Sequence, residues 1–195
     1  MVTHKQSRRD QILVALAEMM ESSPHGRITT AALARHLGVS EAALYRHFPS
    51  KAKMYEGLIE FIEETIFTRI RIILENEPGV EARCHAILTL VLSFCERNPG
   101  ISRILSGDAL TGETERLHHR AAQILDRIET QIKQIFREAE IGENKRTVMS
   151  VNETAEMLLA LTEGKVRQFV RSDFSRLPTD HWPQQWHQII DNLFR

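Results

Sequence analysis

The sequence predicts an all-α protein. Apolar residues recur at three- and four-residue steps through most of its 195 residues, the period of helices with one buried face. Gly and Pro stops divide these stretches into lengths typical of globular helices. No segment keeps a two-residue alternation between turn signals, so no strand is expected. With 42% apolar and 26% charged residues, the chain also lacks the bias of disordered or low-complexity proteins.

Ile12, Leu13, Leu16, Ala17 and Met20 mark one face of a first helix, Ser7 to Met20, which stops near Ser22-Ser23-Pro24. His25-Gly26-Arg27 reads as a loop. Thr29 or Thr30 can then cap a short helix that passes Ala34 and Leu37 and ends at Gly38. Ser40 caps a second short helix, Glu41 to Arg46, broken by Phe48-Pro49-Ser50. Ser50 caps a long helix from Lys51 to about Leu74, in which Met54, Leu58, Phe61, Ile62, Ile66 and Ile70 keep the period. Breaks at Pro78-Gly79, Pro99-Gly100, Gly107 and Ile141-Gly142 leave helices over about 81–97, 101–106, 113–139, 151–171 and 183–194. No Ser-, Gly- or Pro-rich linker separates modules, so a helix is expected to carry the chain through a boundary near residue 50.

No apolar run approaches the roughly 18 residues of a membrane span, and Met1 to Asp10 is polar with no apolar region behind it. A cytoplasmic location with no membrane partner is the expectation. Cys84 and Cys95 lie on one predicted helix, about 16 Å apart along its axis, too far for a disulfide. Two reduced, packed thiols follow. His118-His119 point about 100° apart on a helix and suit no common metal. Glu113, Glu115, Arg116, Asp126, Arg127, Glu129 and Lys133 read as the exposed face of an amphipathic helix. The chain has no HExxH, Gly-rich phosphate loop, nucleophile elbow or paired-carboxylate site. Neither an enzyme nor a cofactor or metal is predicted.

Net charge is −1 overall, but the sign divides along the chain. Residues 1–54 hold eight Lys/Arg against four Asp/Glu, 8 − 4 = +4, while the rest hold 17 against 22, or −5. A basic end on an acidic body fits a protein that meets a polyanion at one end. That end also carries a helix-turn-helix pattern from Ala32 to Leu44. Ala34 permits close crossing, Gly38 supplies the turn, and Leu33, Leu37, Val39 and Leu44 fill the seam. The second helix presents Ser40, Glu41, Ala42, Tyr45, Arg46 and His47, small enough for close groove approach or able to hydrogen-bond. Lys51, at the start of the next helix, and the hydroxyls of Thr29, Thr30 and Tyr45 suit phosphate. An ordinary helical hairpin is the competing reading.

Ala43-Leu44-Tyr45-Arg46-His47-Phe48-Pro49-Ser50-Lys51, following that motif, resembles the DNA-binding domain of the tetracycline-repressor (TetR) family. The resemblance implies a dimeric all-α regulator whose third helix reads the major groove. It divides the chain into a helix-turn-helix domain, 1–50, and a larger helical dimerisation domain, 51–195. Further segments resemble the branch of that family devoted to nucleoid occlusion. They are Arg27-Ile28-Thr29-Thr30-Ala31, Leu58-Ile59-Glu60-Phe61-Ile62-Glu63, Glu96 to Leu105, and Phe169-Val170-Arg171-Ser172-Asp173-Phe174.

This second resemblance implies a nucleoid-associated homodimer that binds palindromic double-stranded DNA, with higher-order loading on DNA left open. It adds Arg27 to the DNA-facing set. It also implies contact with the C-terminal tail of the tubulin-like division protein FtsZ through Phe61, Arg69, Leu90, Ser93, Arg97 and Asn98. Ser93 stands where the family can have Gly, which adds a side chain to a groove meant for peptide. From the residues alone, Phe61 and Leu90 at helical spacing read more readily as core, and Arg97 and Asn98 as a helix end before Pro99. The apolar stripe Met157, Leu158, Leu161, Val166, Phe169 and Val170, with Trp182, Trp186, Ile189, Ile190 and Leu193, reads as core, dimer interface or both. A ligand-responsive repressor is the alternative function.

Overall fold

The structure is a computed structural model and describes residues 7–23, 26 and 28–195. Among these the chain is helical, with no named strand. The helices are α1 (Arg8–Ser22), α2 (Thr30–His36), α3 (Glu41–Tyr45), α4 (Lys51–Asn76), α5 (Val80–Arg97), α6 (Pro99–Leu105), α7 (Glu115–Gly142), α8 (Val151–Arg171) and α9 (Trp182–Ile190). A single 3-10 turn, Asp108–Leu110, lies before α7. The chain forms two compact units, Met1–Ile62 with Asn98–Ala121 and Glu63–Arg97 with Ala122–Arg195. Helix α4 runs unbroken past the first junction.

The first unit is built on short helices whose starts are set by hydroxyl caps. Ser7 forms a reciprocal capping box with Asp10, Thr29 Oγ1 accepts from the Ala32 N–H, and Ser40 Oγ accepts from the Ala43 N–H. Ser50 Oγ accepts from the Lys53 N–H at the head of α4. Each satisfies a donor that a helix terminus leaves open. Gly38 takes φ 65° between α2 and α3, where a side chain would be strained. Leu33, Ala34, Leu44 and Phe48 are buried, as are Ile12, Leu16 and Met20 of α1 and Met54, Tyr55 and Leu58 of α4. Helix α6 lies so close on α1 that Gly100 meets the Ala17 carbonyl with no room for a β-carbon. Arg103 of α6, only 6% exposed, donates from Nη1 to the carbonyls of Met20 and Ser23 at the end of α1.

The second unit is a helical layer around α5. Its buried stripe includes Cys84, Ile87, Leu88, Val91, Leu92 and Cys95. Both thiols are free and buried, and burial pushes their pKa up to about 12, so they pack as small apolar groups. Helix α9 is fixed to α5 where Trp182 Nε1 donates to Thr89 Oγ1 at 2.7 Å. The His85 ring stacks beside Trp182 and Trp186, with centroids 6.2 and 5.2 Å away. Burial draws its pKa down, favouring the neutral ring.

Three features differ from the sequence expectation. Helix α7 begins at Glu115 and runs through Ile141-Gly142, since Gly142 sits at a helix end where it is tolerated. Helix α9 stops at Ile190, and the following turn brings Phe194 into an isolated antiparallel bridge with Thr147. The charged run is not one exposed face. Glu113 precedes α7 and is paired with Lys51, and the Arg127 guanidinium sits 3.8 Å above the Phe67 ring, covering apolar surface.

Candidate nucleic-acid interface

Helices α2 and α3 form the expected helix-turn-helix, and one hydrogen-bonded chain crosses between them. Thr30 Oγ1 donates to Glu41 Oε2 at 2.7 Å, and Tyr45 OH donates to Thr30 Oγ1 at 3.4 Å. The first turn of α2 is thereby tied to both ends of α3. Tyr45 remains 43% exposed, so its phenol face and hydroxyl are available to a partner, whereas Phe48 is core. Thr29, Ser40, Ala42, Arg46 and His47 are exposed and Thr30 is half-buried. Ala42 presents only a methyl on the exposed side of α3, and Arg46 and His47 follow at its end. Arg27 lies outside the described residues.

Lys51 is placed differently from these side chains. It opens α4 as expected, yet its ammonium donates to Glu113 Oε1 at 2.5 Å and lies 5.4 Å from the centre of the Tyr55 ring. The pair borders a cavity of about 410 Å³ in the first unit, shared with Met20, Ile28, Tyr55 and Arg103. Burial and the nearby Glu113 carboxylate raise the Tyr55 pKa to about 12, so its hydroxyl keeps its proton near neutrality. Sequence reasoning placed Glu41 on the presented face of the second helix and Glu113 in a solvated charged run, and missed the partner of each. Each meets its partner through the fold, 11 and 62 residues along the chain, and neither spacing carries a signal.

The residues assigned to peptide contact lie on α4, on α5 and at the start of α6. Phe61 of α4 is 47% exposed, unusual for a large aromatic side chain and unlike its buried neighbours Leu58 and Ile62. Arg69, two turns further along α4, is exposed. On α5, Leu90, Ser93 and Arg97 follow at i, i+3 and i+7 and share one stripe. Thr89 and Glu96, also seven apart, carry the bonds to Trp182 and Thr179, so the stripe one residue on is rotated about 100° from the α9 contact. Leu90 and Ser93 are half-buried and Arg97 is exposed. Asn98 caps the start of α6 by its backbone, with no side-chain cap bond.

Two family descriptions match the chain. "Bacterial regulatory proteins, tetR family" covers residues 12–58, and "Tetracyclin repressor-like, C-terminal domain", of the SlmA-like type, covers residues 80–194. The nucleoid occlusion factor SlmA of Marinomonas sp. (strain MWYL1) is 58% identical, over 99% of this chain and 98% of its own length. That of Idiomarina loihiensis is 56% identical over the same shares. Among solved structures, the MbdR regulator from Azoarcus sp. CIB is similar in fold, with a TM-score of 0.80 over 96% of this chain and 99% of its own at 17% identity.

Proposed function

Since the chain belongs to the SlmA family of nucleoid occlusion factors, TetR-like in fold, we propose that it acts as one: a DNA-bound homodimer that engages FtsZ and blocks division-ring assembly over the nucleoid. The observation that carries this reading is the match to SlmA relatives at 53–58% identity over nearly the full chain, which spans the helix-turn-helix and the remainder together. No catalytic chemistry enters it.

Physical features support each part. The +4 charge of residues 1–54 supplies the attraction that brings a helix-turn-helix to phosphate, and residues 1–50 contain the reading surface. Residues 51–195 supply the dimer and the FtsZ contact. On α8 and α9, Leu158, Val166, Phe169, Trp182 and Trp186 serve the core of the subunit. Met157 is 42% exposed, and Leu161, Val170, Ile189 and Ile190 are half-buried. These five are left for a second copy, and a two-fold dimer would favour a palindromic site. Phe61, exposed on α4, offers apolar contact to the FtsZ tail, and on α5 the half-buried Leu90 and Ser93 lead to the exposed Arg97, which offers positive charge. No helix among the described residues is long and apolar enough to cross a membrane, in keeping with action at the nucleoid.

DNA recognition is tested with a labelled duplex selected on the purified protein from a randomised pool. Thr29→Ala, Tyr45→Ala and Lys51→Ala should each weaken binding by about 1–3 kcal/mol, and Lys51→Ala should lower the salt slope by about one. Undiminished binding by all three would reject the surface. Release of the duplex by a small molecule would instead favour a ligand-responsive repressor.

A further inference from the structure

Glu113 lies outside every helix. It follows Gly112, whose φ is 79°, and its N–H donates to the Leu110 carbonyl at 2.8 Å, so a tight turn delivers its carboxylate to the head of α4. There it accepts the 2.5 Å bond from Lys51 Nζ. The two side chains are only 24% and 15% exposed. Water therefore screens this pair far less than Arg9 and Glu60, which are 3.7 Å apart and 56% and 58% exposed. The nearby cation, Arg103, is already held by Asp108 at 2.6 Å and by two α1 carbonyls, leaving Lys51 as the partner of Glu113.

We propose that Glu113 competes with DNA for Lys51: it holds the ammonium against the protein, and a backbone phosphate at the head of α4 binds by taking its place. This rests on the DNA-binding reading above. Carboxylate and phosphate oxygens are acceptors of like charge. An ammonium with three donors on a flexible stem can turn from one to the other, while the two anions repel each other. Part of the attraction between Lys51 and DNA is spent on breaking the internal bond. Glu113 thus sets DNA affinity from a turn outside the helix-turn-helix.

Titration of the selected duplex tests this directly. Glu113→Gln should tighten binding about three- to tenfold at low salt, and the gain should vanish when Lys51→Ala is added. Glu113→Asp keeps the charge but withdraws the carboxylate by one methylene, and should tighten in the same direction by less. Glu115→Gln removes a 91% exposed acid that does not touch Lys51 and reports the general effect of charge. Helix content by circular dichroism confirms that each variant is folded. The proposal is overturned if neither Glu113 variant binds more tightly while Lys51→Ala still weakens binding, an outcome that leaves the DNA surface standing. It is equally overturned if Glu115→Gln matches the gain or if the gain survives Lys51→Ala. Absence of specific DNA binding by the unaltered protein would overturn the DNA-binding reading and this proposal together.

Discussion

Gly100→Ala should be among the most damaging single substitutions in the chain, costing about 3 kcal/mol or more. The added β-carbon would stand 2.0 Å from the Ala17 carbonyl oxygen, 2.9 Å from its carbon and 3.1 Å from the Glu21 nitrogen. All three are backbone atoms, so no rotamer change relieves the clash. Relief requires α6 to move off α1, which opens the core beneath the helix-turn-helix. The melting temperature should fall by about 6–12 °C, with DNA binding lost as the unit loosens. Gly164→Ala is the internal contrast. That position lies inside α8 with nothing within 4 Å of a built β-carbon, so alanine should leave subunit stability unchanged or raise it by about 1 kcal/mol. Equal melting temperatures for the two variants would contradict the close approach of α6 to α1.

Arg103→Ala should follow at about 2–4 kcal/mol. Helix α1 has no basic residue in its last turn, and Arg103 supplies the missing donors from about 80 residues away. Its Nη1 reaches Met20 O at 2.8 Å and Ser23 O at 3.0 Å, while Nε holds Asp108 at 2.6 Å. Truncation leaves a space beside carbonyls that have lost their donor. Asp108 is 45% exposed and can turn to water, which limits the loss. Lysine should rescue only part of the effect, since a single ammonium cannot span the three acceptors that the planar guanidinium holds. Accelerated amide exchange at the end of α1, with a lower melting temperature, is the expected signature. Unchanged exchange there would show that Arg103 does not anchor that end.

These two residues also mark the boundary of what the sequence discloses. Helix starts were legible because local chemistry writes them: Thr29, Ser40 and Ser50 accept the amide bonds that their positions suggest. Gly38 has the positive φ that the turn between α2 and α3 requires. The helix-turn-helix spacing likewise places Leu33 and Leu44 in the seam between the helices, and both are buried. Gly100, by contrast, reads as a helix break beside Pro99, although its decisive neighbour is Ala17, on a different helix. Glu113 reads as part of an exposed charged face, and no spacing singles out Arg103, until the fold supplies their partners. Phe61 sits in the apolar rhythm of α4 yet is 47% exposed, because periodicity records polarity and not which face remains uncovered. The residues proposed for peptide contact are accordingly legible only through family resemblance.

This DNA-binding protein is proposed also to capture FtsZ. The most direct test is the anisotropy of a labelled FtsZ C-terminal peptide titrated with the purified protein, with and without the selected duplex. Arg69→Asp and Arg97→Asp serve as charge-reversed controls. Saturable binding is expected, weakened at least about tenfold in both variants, whose affinity for the duplex should be unchanged. Tight, specific DNA binding with no peptide binding in either state would contradict the claim.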